Sequence, residues 1–305
     1  MTTTLADIKG RIKQLLQGYS RNQEQITWLT APMSASDTTF TVDLTTVNLV
    51  SRGLVEIGNE LLLVSSFNNT TGLVTIAAGI NGRGRESTTA ATHSSLDIVT
   101  MDPDFPKQRI TEAINDTINA SYPDLYVPKT YDFSYQAARY EYQMPADSEF
   151  LIRVTADTVG PSKVKFPNQT IRYNGQSQID VGSGLATGKS IQVYDRIVPG
   201  RTIHTVYAAK PGNFTSDSED YVTQVGYEER TIDMIMYGAV ARLLSGFEAA
   251  RLQQKSVEST ERAPLVPTGA ATNAAQYFWN LYRTRLNEEV DKQHQLYPTY
   301  QTFGG

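Results

Sequence analysis

From Thr205 to Gly246 the chain reads TVYAAKPGNFTSDSEDYVTQVGYEERTIDMIMYGAVARLLSG, and this stretch constrains the fold more than any other. A β-like alternation ends, an acidic, turn-rich loop follows, and an amphipathic helix begins. Between Glu228 and Leu252 the apolar residues Ile232, Ile235, Met236, Ala239, Val240, Leu243, Leu244 and Phe247 recur at helical spacing, so one face of the predicted helix must be buried. A chain that passes from one period to the other in this way has to pack helix and sheet in one molecule.

The same change of period recurs along the sequence. Leu5, Ile8, Ile12, Leu15, Leu16 and Tyr19 predict a short N-terminal helix, with Thr4 as its N-cap and Asp7 near its positive end. Residues 24–101 alternate with period two between Gly, Asn, Ser and Asp clusters and predict a compact all-β module. Ile110, Ala113, Ile114, Thr117 and Ile118 then share one face of a helix that stops near Tyr122, before Pro123. Alternating pairs such as Ile152 and Val154, Ile191 and Val193, and Ile203 and Thr205 predict a second β-rich module over 129–226. After the helix of 228–252, a Pro- and Gly-containing linker over 253–271 precedes a fourth helix marked by Ala274, Tyr277, Phe278, Leu281, Tyr282 and Leu286 and running to about Gln293. The remaining segment, HQLYPTYQTFGG, is uncharged apart from His294 and rich in aromatics, so residues 295–305 read as a tail that is disordered or binds something. The architecture expected from this order is α+β: a four-helix bundle over 1–23, 102–128 and 227–294, with two inserted β-rich modules and an extended C-terminal tail.

Size and charge narrow the function. At 305 residues the chain exceeds the usual length of one domain and can bury a substantial core. A net charge of −5 provides no long-range attraction for nucleic acid or an anionic membrane surface. With 0 cysteines there is no disulfide framework, thiolate metal site or cysteine nucleophile, and assembly in a reducing cytosol fits. The N-terminus lacks the apolar core of about 7–15 residues that a signal peptide needs, and no run long enough to span a membrane follows.

The candidate chemical motifs favour structural readings. GSGLATGKS at 182–190 resembles a phosphate-binding loop, but Ser183 stands where the motif needs Gly, and IQVYDRIV after it alternates like a strand instead of opening a helix. A hairpin turn carrying a surface Lys189 is the expectation. His93, His204 and His294 lie in separate segments without ligand spacing. Asp102 and Asp104 are expected to border a turn ahead of the second helix, where their charge complements its dipole. No Ser elbow and no selectable carboxylate pair is present, so no catalytic residue, metal ligand or cofactor-binding residue is assigned. Arg83 and Arg85, in a Gly- and Thr-rich loop, are candidates for contact with a partner. Tyr131, Phe133, Tyr135, Tyr140 and Tyr142 are expected in a core or interface rather than as a stacking platform.

Three passages resemble one family. KQRITEAINDTINASYPDLY is similar to the helix that opens the bundle in head–tail adaptors of long-tailed phages, the 205–246 stretch resembles its strand-loop-helix continuation, and YFWNLYRTRLNEE resembles its final helix. Residues 54–99 resemble a small β module of phage neck and tail proteins, and together the similarities cover somewhat over half the chain. The resemblance implies a non-enzymatic virion structural protein at the head–tail junction, assembled in the host cytoplasm as a homo-dodecameric ring. Its implied partners are the portal protein and the tail, nozzle or next neck protein, with fibres a further candidate; no membrane is involved. DNA passes through its channel without sequence-specific binding, and an acidic lining would let the duplex slide. The family's C-terminal portal-docking segment maps here onto Leu296, Tyr297, Tyr300 and Phe303, each able to contribute roughly 1.5–3 kcal/mol when buried in a partner, before ordering costs. A baseplate or fibre-anchoring virion protein is the alternative reading, and a glycan-degrading virion enzyme is a more distant one.

Overall fold

The computed structural model describes residues 2–17, 25–44, 53–79, 82–157, 165–167, 171–175, 185–255 and 270–298. Tyr19, residues 182–184, the linker residues 256–269, and Tyr300 and Phe303 lie outside this set, as does the side chain of Phe247.

Helix α1 (Leu5–Leu16) starts at a capping box, in which the Thr4 side chain accepts from the Asp7 amide while Asp7 accepts from the Thr4 amide. Its apolar stripe, Leu5, Ile8, Ile12 and Leu16, is buried. The next six strands are β1 (Gln25–Trp28), β2 (Thr39–Thr41), β3 (Gly53–Ile57), β4 (Glu60–Asn68), β5 (Leu73–Ile76) and β6 (Ile98–Met101). They form one antiparallel sheet in the order β1-β6-β3-β4-β5-β2. The two ends of that order meet: Leu29 bridges Val42, the Thr30 amide donates to the Thr41 carbonyl at 3.0 Å, and the Asp43 amide donates to the Trp28 carbonyl at 3.1 Å. The sheet thus closes into a small barrel around Leu29, Phe40, Val55, Ile57, Leu62, Val74 and Val99. Gly72, at φ +70°, makes the β4–β5 turn so close to the Val42 carbonyl that any Cβ would strike it.

Helix α2 (Lys107–Ser121) buries Ile110, Ala113, Ile114, Thr117 and Ile118, the face its spacing predicts. Seven further strands follow: β7 (Val127–Ser134), β8 (Glu141–Gln143), β9 (Ser148–Asp157), β10 (Lys165–Pro167), β11 (Ile171–Asn174), β12 (Ser190–Val193) and β13 (Thr202–Ala209). They build two antiparallel sheets, β10-β9-β13-β7 and β11-β12-β8. Phe133 stacks on Tyr142 between these sheets with ring centroids 4.5 Å apart, and Tyr135 and Tyr142 are buried; of the five aromatics considered above, Tyr140 alone is exposed. The chain then enters the short helix α3 (Tyr221–Val225), a 3-10 turn at Glu229–Thr231, the long helix α4 (Ile232–Lys255), and finally α5 (Ala270–Leu296).

The expected four-helix bundle is corrected by this arrangement. Thirteen strands in three antiparallel sheets make the described chain mostly β. Helix α4 does contact α1, α2 and α5, and Gly238 allows the closest approach: a Cβ there would collide with Thr117 of α2 and lie 2.9 Å from the Tyr282 ring of α5. Yet the helical stripes are not a core by themselves. They share one apolar cluster with Tyr142, Met144, Val154, Ala156, Ile191, Val193, Ile203 and Tyr207 from the sheets. Helical periodicity reports that a stripe is covered and not what covers it; here one apolar cluster runs through both the helices and the sheets. The extended tail is also shorter than expected, because α5 continues through residue 295 to Leu296.

The acidic loop before α3 ties these layers together. The Leu5 and Ala6 amides at the start of α1 donate to the carbonyls of Glu219 and Asp217 at 3.1 Å each, satisfying donors that a helix end leaves open. Asp217 also meets Lys9 at 2.5 Å and the Asn59 amide of the barrel at 2.8 Å.

Candidate functional site

The end of α5 gathers polar groups that the apolar pattern does not announce. Following Phe278, Tyr282 and Leu286, the buried stripe continues with Glu289 and Gln293, both nearly inaccessible. The Gln293 amide nitrogen donates to the Tyr126 carbonyl at 2.6 Å, and its oxygen accepts from the Tyr126 amide at 3.3 Å. Gln293 thereby acts as a strand neighbour for the residue that precedes β7. The Glu289 carboxylate takes Lys292 at 2.6 Å on one oxygen. Arg230 Nε comes within 2.9 Å of the other, off the hydrogen-bonding direction, so that oxygen is ion-paired without a formed hydrogen bond.

Beside this pair lies a cavity of about 120 Å³ lined by Tyr126, Tyr227, Arg230, Gln293, Leu296 and Tyr297, among others. The Tyr126 ring meets Phe150 edge-on at 5.1 Å, while its buried hydroxyl has no hydrogen-bond partner. Burial, and then the neighbouring Tyr297, push that hydroxyl's pKa up. Tyr227 on the opposite wall is satisfied: its hydroxyl lies 2.9 Å from Ser121 and donates to the Leu125 carbonyl.

The nominated docking residues divide at this point. Leu296 is 61% exposed. Tyr297 packs onto the small cluster of Tyr126, Ile152, Val206 and Ala208, and its amide donates to the Gln293 carbonyl at 2.8 Å. It therefore seats the helix end on its own subunit. Tyr300 and Phe303 lie outside the described residues. Tyr126, Arg230, Glu289 and Gln293 were not identified from sequence; the available signal was the continuation of the apolar stripe into polar residues at the same spacing.

The Arg83 loop is turned inward. Arg83 forms a two-pronged ion pair with the buried Glu60, with Nε to Oε1 at 2.7 Å and Nη2 to Oε2 at 2.8 Å, and it also donates to the carbonyls of Ser34, Asp37 and Ala91. His93 Nε2 completes the cluster 2.9 Å from Glu60 Oε2. Burial pushes the Glu60 carboxyl up, and Arg83, His93 and the Ala91 amide more than offset it, so its pKa lies below the ordinary value. Arg85 anchors the same loop through its amide, which donates to the Leu61 carbonyl at 2.9 Å, and its Nε is buried without a partner. These arginines fix the loop across the barrel.

The remaining candidates are dispersed. Residues 185–189 form a turn that leads into β12, with Lys189 paired to Glu149 at 3.2 Å and mostly covered. His204 lies between Asp132, 2.9 Å from Nδ1, and Asp157, 3.1 Å from Nε2, in an open concavity of about 450 Å³ that Arg153, Thr130 and Thr155 also line. His294 sits in the last turn of α5. Asp102 and Asp104 precede α2, and Glu56 of the barrel also reaches its first turn, accepting from the Lys107 amide at 2.6 Å. Among the described residues no His, Asp and Glu side chains gather as metal ligands, and no helix is long and apolar enough to cross a membrane.

In comparisons with known proteins, no family model and no curated sequence matches this chain.

Proposed function

We propose that this chain is a virion structural protein, a head-to-tail adaptor that assembles as a ring and joins the portal to the tail or to the next neck protein. The observation that carries the reading is the end of α5: a helix of 27 residues, seated on its own subunit by Gln293 and Tyr297, holds Leu296 in solvent immediately before the aromatic residues Tyr300 and Phe303. An apolar side chain held in solvent at the end of a seated helix, as Leu296 is, loses little freedom when it enters a partner's groove. Repetition around a ring multiplies modest contacts into firm attachment. The portal-docking set in this reading is Leu296, Tyr300 and Phe303; Tyr297 is the hinge pin of the arm. The resemblance of the 107–126 and 205–246 passages to adaptors supplies the rest of the support.

The test is deletion of residues 299–305. The truncated protein is expected to keep its fold and its assembly mass while failing to co-purify with portal. Undiminished co-purification would reject the docking assignment. A purified full-length protein without rotational symmetry by negative-stain imaging, alone and with portal, would reject the adaptor reading. The polar concavity around His204 favours the alternative, a fibre-anchoring or baseplate protein that binds sugar through this sheet face; loss of glycan binding in Asp132→Ala with portal binding unchanged would support that reading.

A further inference from the structure

The chain carries two exposed apolar patches of opposite charge. The first is on the barrel wall, where β1 pairs with β6. Trp28 is the direct cross-strand partner of Ile98, Ile26 lies on the same face two residues earlier, and Leu96 sits in the turn leading into β6. All four are exposed, Leu96 most of all at 72%. Leu96 also occupies the left-handed region at φ +73°, which an ordinary side chain enters only when the surrounding structure enforces it. Asp97 stands between Leu96 and Ile98, and the Asp43 amide donates to the Trp28 carbonyl at 3.1 Å, so two acidic residues border the patch.

The second patch is at the end of the paired sheets, where the loops 135–140 and 194–201 meet. The Val193 amide donates to the Tyr140 carbonyl at 2.9 Å, and the Tyr135 amide donates to the Arg201 carbonyl at 2.8 Å, which brings the two loops together. Tyr140, Tyr194 and Val198 are exposed there. Arg139, Arg196 and Arg201 against Asp195 give these loops a net charge of +2, three positive less one negative.

We infer that the acidic barrel patch of one copy docks on the basic loop patch of the next, with Trp28 and Ile98 against Tyr140 and Tyr194. Apolar centres rimmed by opposite charges have the composition of a protein interface, and aromatic side chains are favoured anchors in such centres. Because the two patches differ, the contact is heterologous, and repeating it produces a ring or a filament instead of a closed pair. The inference names the contact between copies in the proposed ring and rests on that reading for closure, although it requires no portal.

The chain has 0 cysteines, so introduced thiols report unambiguously. Ile98→Cys and Tyr194→Cys are prepared separately, mixed at the highest soluble concentration and oxidised; Leu96→Cys serves as a second barrel probe should Ile98→Cys fold poorly. The expected result is a disulfide-linked dimer in the mixture and none in either variant alone, with the double variant giving a ladder of multimers. A dimer of Ile98→Cys or Tyr194→Cys alone would overturn the inference in favour of a self-paired patch. No cross-link in any combination would overturn it outright. If the wild type images as a ring but no cross-link forms, this contact fails while the adaptor reading stands; cross-linking without portal binding has the converse meaning. Trp28→Lys is expected to raise the concentration needed for assembly roughly tenfold or more, as loss of an aromatic anchor does.

Discussion

Gln293 and Tyr126, 167 positions apart, are joined by two hydrogen bonds: the Gln293 side-chain amide donates to the Tyr126 carbonyl at 2.6 Å, and its oxygen accepts from the Tyr126 amide at 3.3 Å. This pair fixes the end of α5 against the sheet and so sets the direction in which Leu296 projects. Gln293→Ala leaves a buried amide and a buried carbonyl without partners, and a destabilisation of about 1–3 kcal/mol is expected. Gln293→Glu keeps the acceptor but sets a carboxylate oxygen against the Tyr126 carbonyl in a buried site, so at neutral pH it should cost at least as much as alanine. Urea unfolding followed by fluorescence measures both.

How such a pair escapes a reading of the sequence has a physical reason. The cap at Thr4 and Asp7 and the stripe from Ile110 to Ile118 are decided within a turn or two of helix, so local spacing discloses them. The two β-rich regions are legible for the same reason, since strand alternation is local. Barrel closure through Leu29 and Val42, the capping of α2 by Glu56 across 51 positions, and the Gln293 clamp depend on which surfaces meet, and no local period encodes that. The four-helix bundle follows from four real helical stripes, and it is corrected because three antiparallel sheets make up most of the described elements and share one apolar cluster with those stripes. At the site, Leu296 was legible as an apolar residue in an uncharged segment, whereas the seat formed by Tyr297, Glu289 and Arg230 was not.

Gly238 marks the tightest crossing of α2, α4 and α5. Gly238→Ala improves helix propensity, but its methyl would meet Thr117 and the Tyr282 ring, 2.9 Å away. Overpacking wins, with an expected net loss of about 1–3 kcal/mol. Adding Thr117→Ser removes the methyl in the way and should recover part of that loss, a coupling that a double-mutant cycle of unfolding free energies will read.

Glu60 and Arg83 hold the barrel through a charge pair that is hidden from solvent on the carboxylate side. Arg83→Ala takes the ion-pair partner from a buried carboxylate and is expected to cost about 3–5 kcal/mol. Arg83→Met combined with Glu60→Leu should not restore it, because the Ala91 amide, His93 and the carbonyls of Ser34 and Asp37 then lose their partners. The acid limb follows from the same pair. Since the folded Glu60 pKa is depressed, its contribution is present above the unfolded value, about 4.3, and is lost as pH falls through the folded value. Arg83→Ala removes the main offset to burial, so the midpoint of acid unfolding should move to higher pH. Circular dichroism across an acid titration checks the direction.

The alkaline limb belongs to three buried phenols. Burial first, and then the Asp147 carboxylate, push Tyr207 up to about 12, while burial drives Tyr221 and Tyr227 higher still despite their hydrogen bonds to Thr231 and Ser121. A phenol whose folded pKa is raised contributes stability that is complete below the unfolded value, about 10, and is lost as pH rises through the folded value. The ultraviolet phenolate signal should therefore show a second, late phase in which Tyr207, Tyr221 and Tyr227 titrate together with loss of helicity. Tyr227→Phe deletes one of these titrations but also the bonds to Ser121 and the Leu125 carbonyl, so it should lower stability at neutral pH and reduce the second phase by one tyrosine. Asp147→Asn, which removes the neighbouring negative charge from Tyr207, should bring part of that phase to lower pH. A single-phase titration with helicity retained throughout would contradict the burial of these rings.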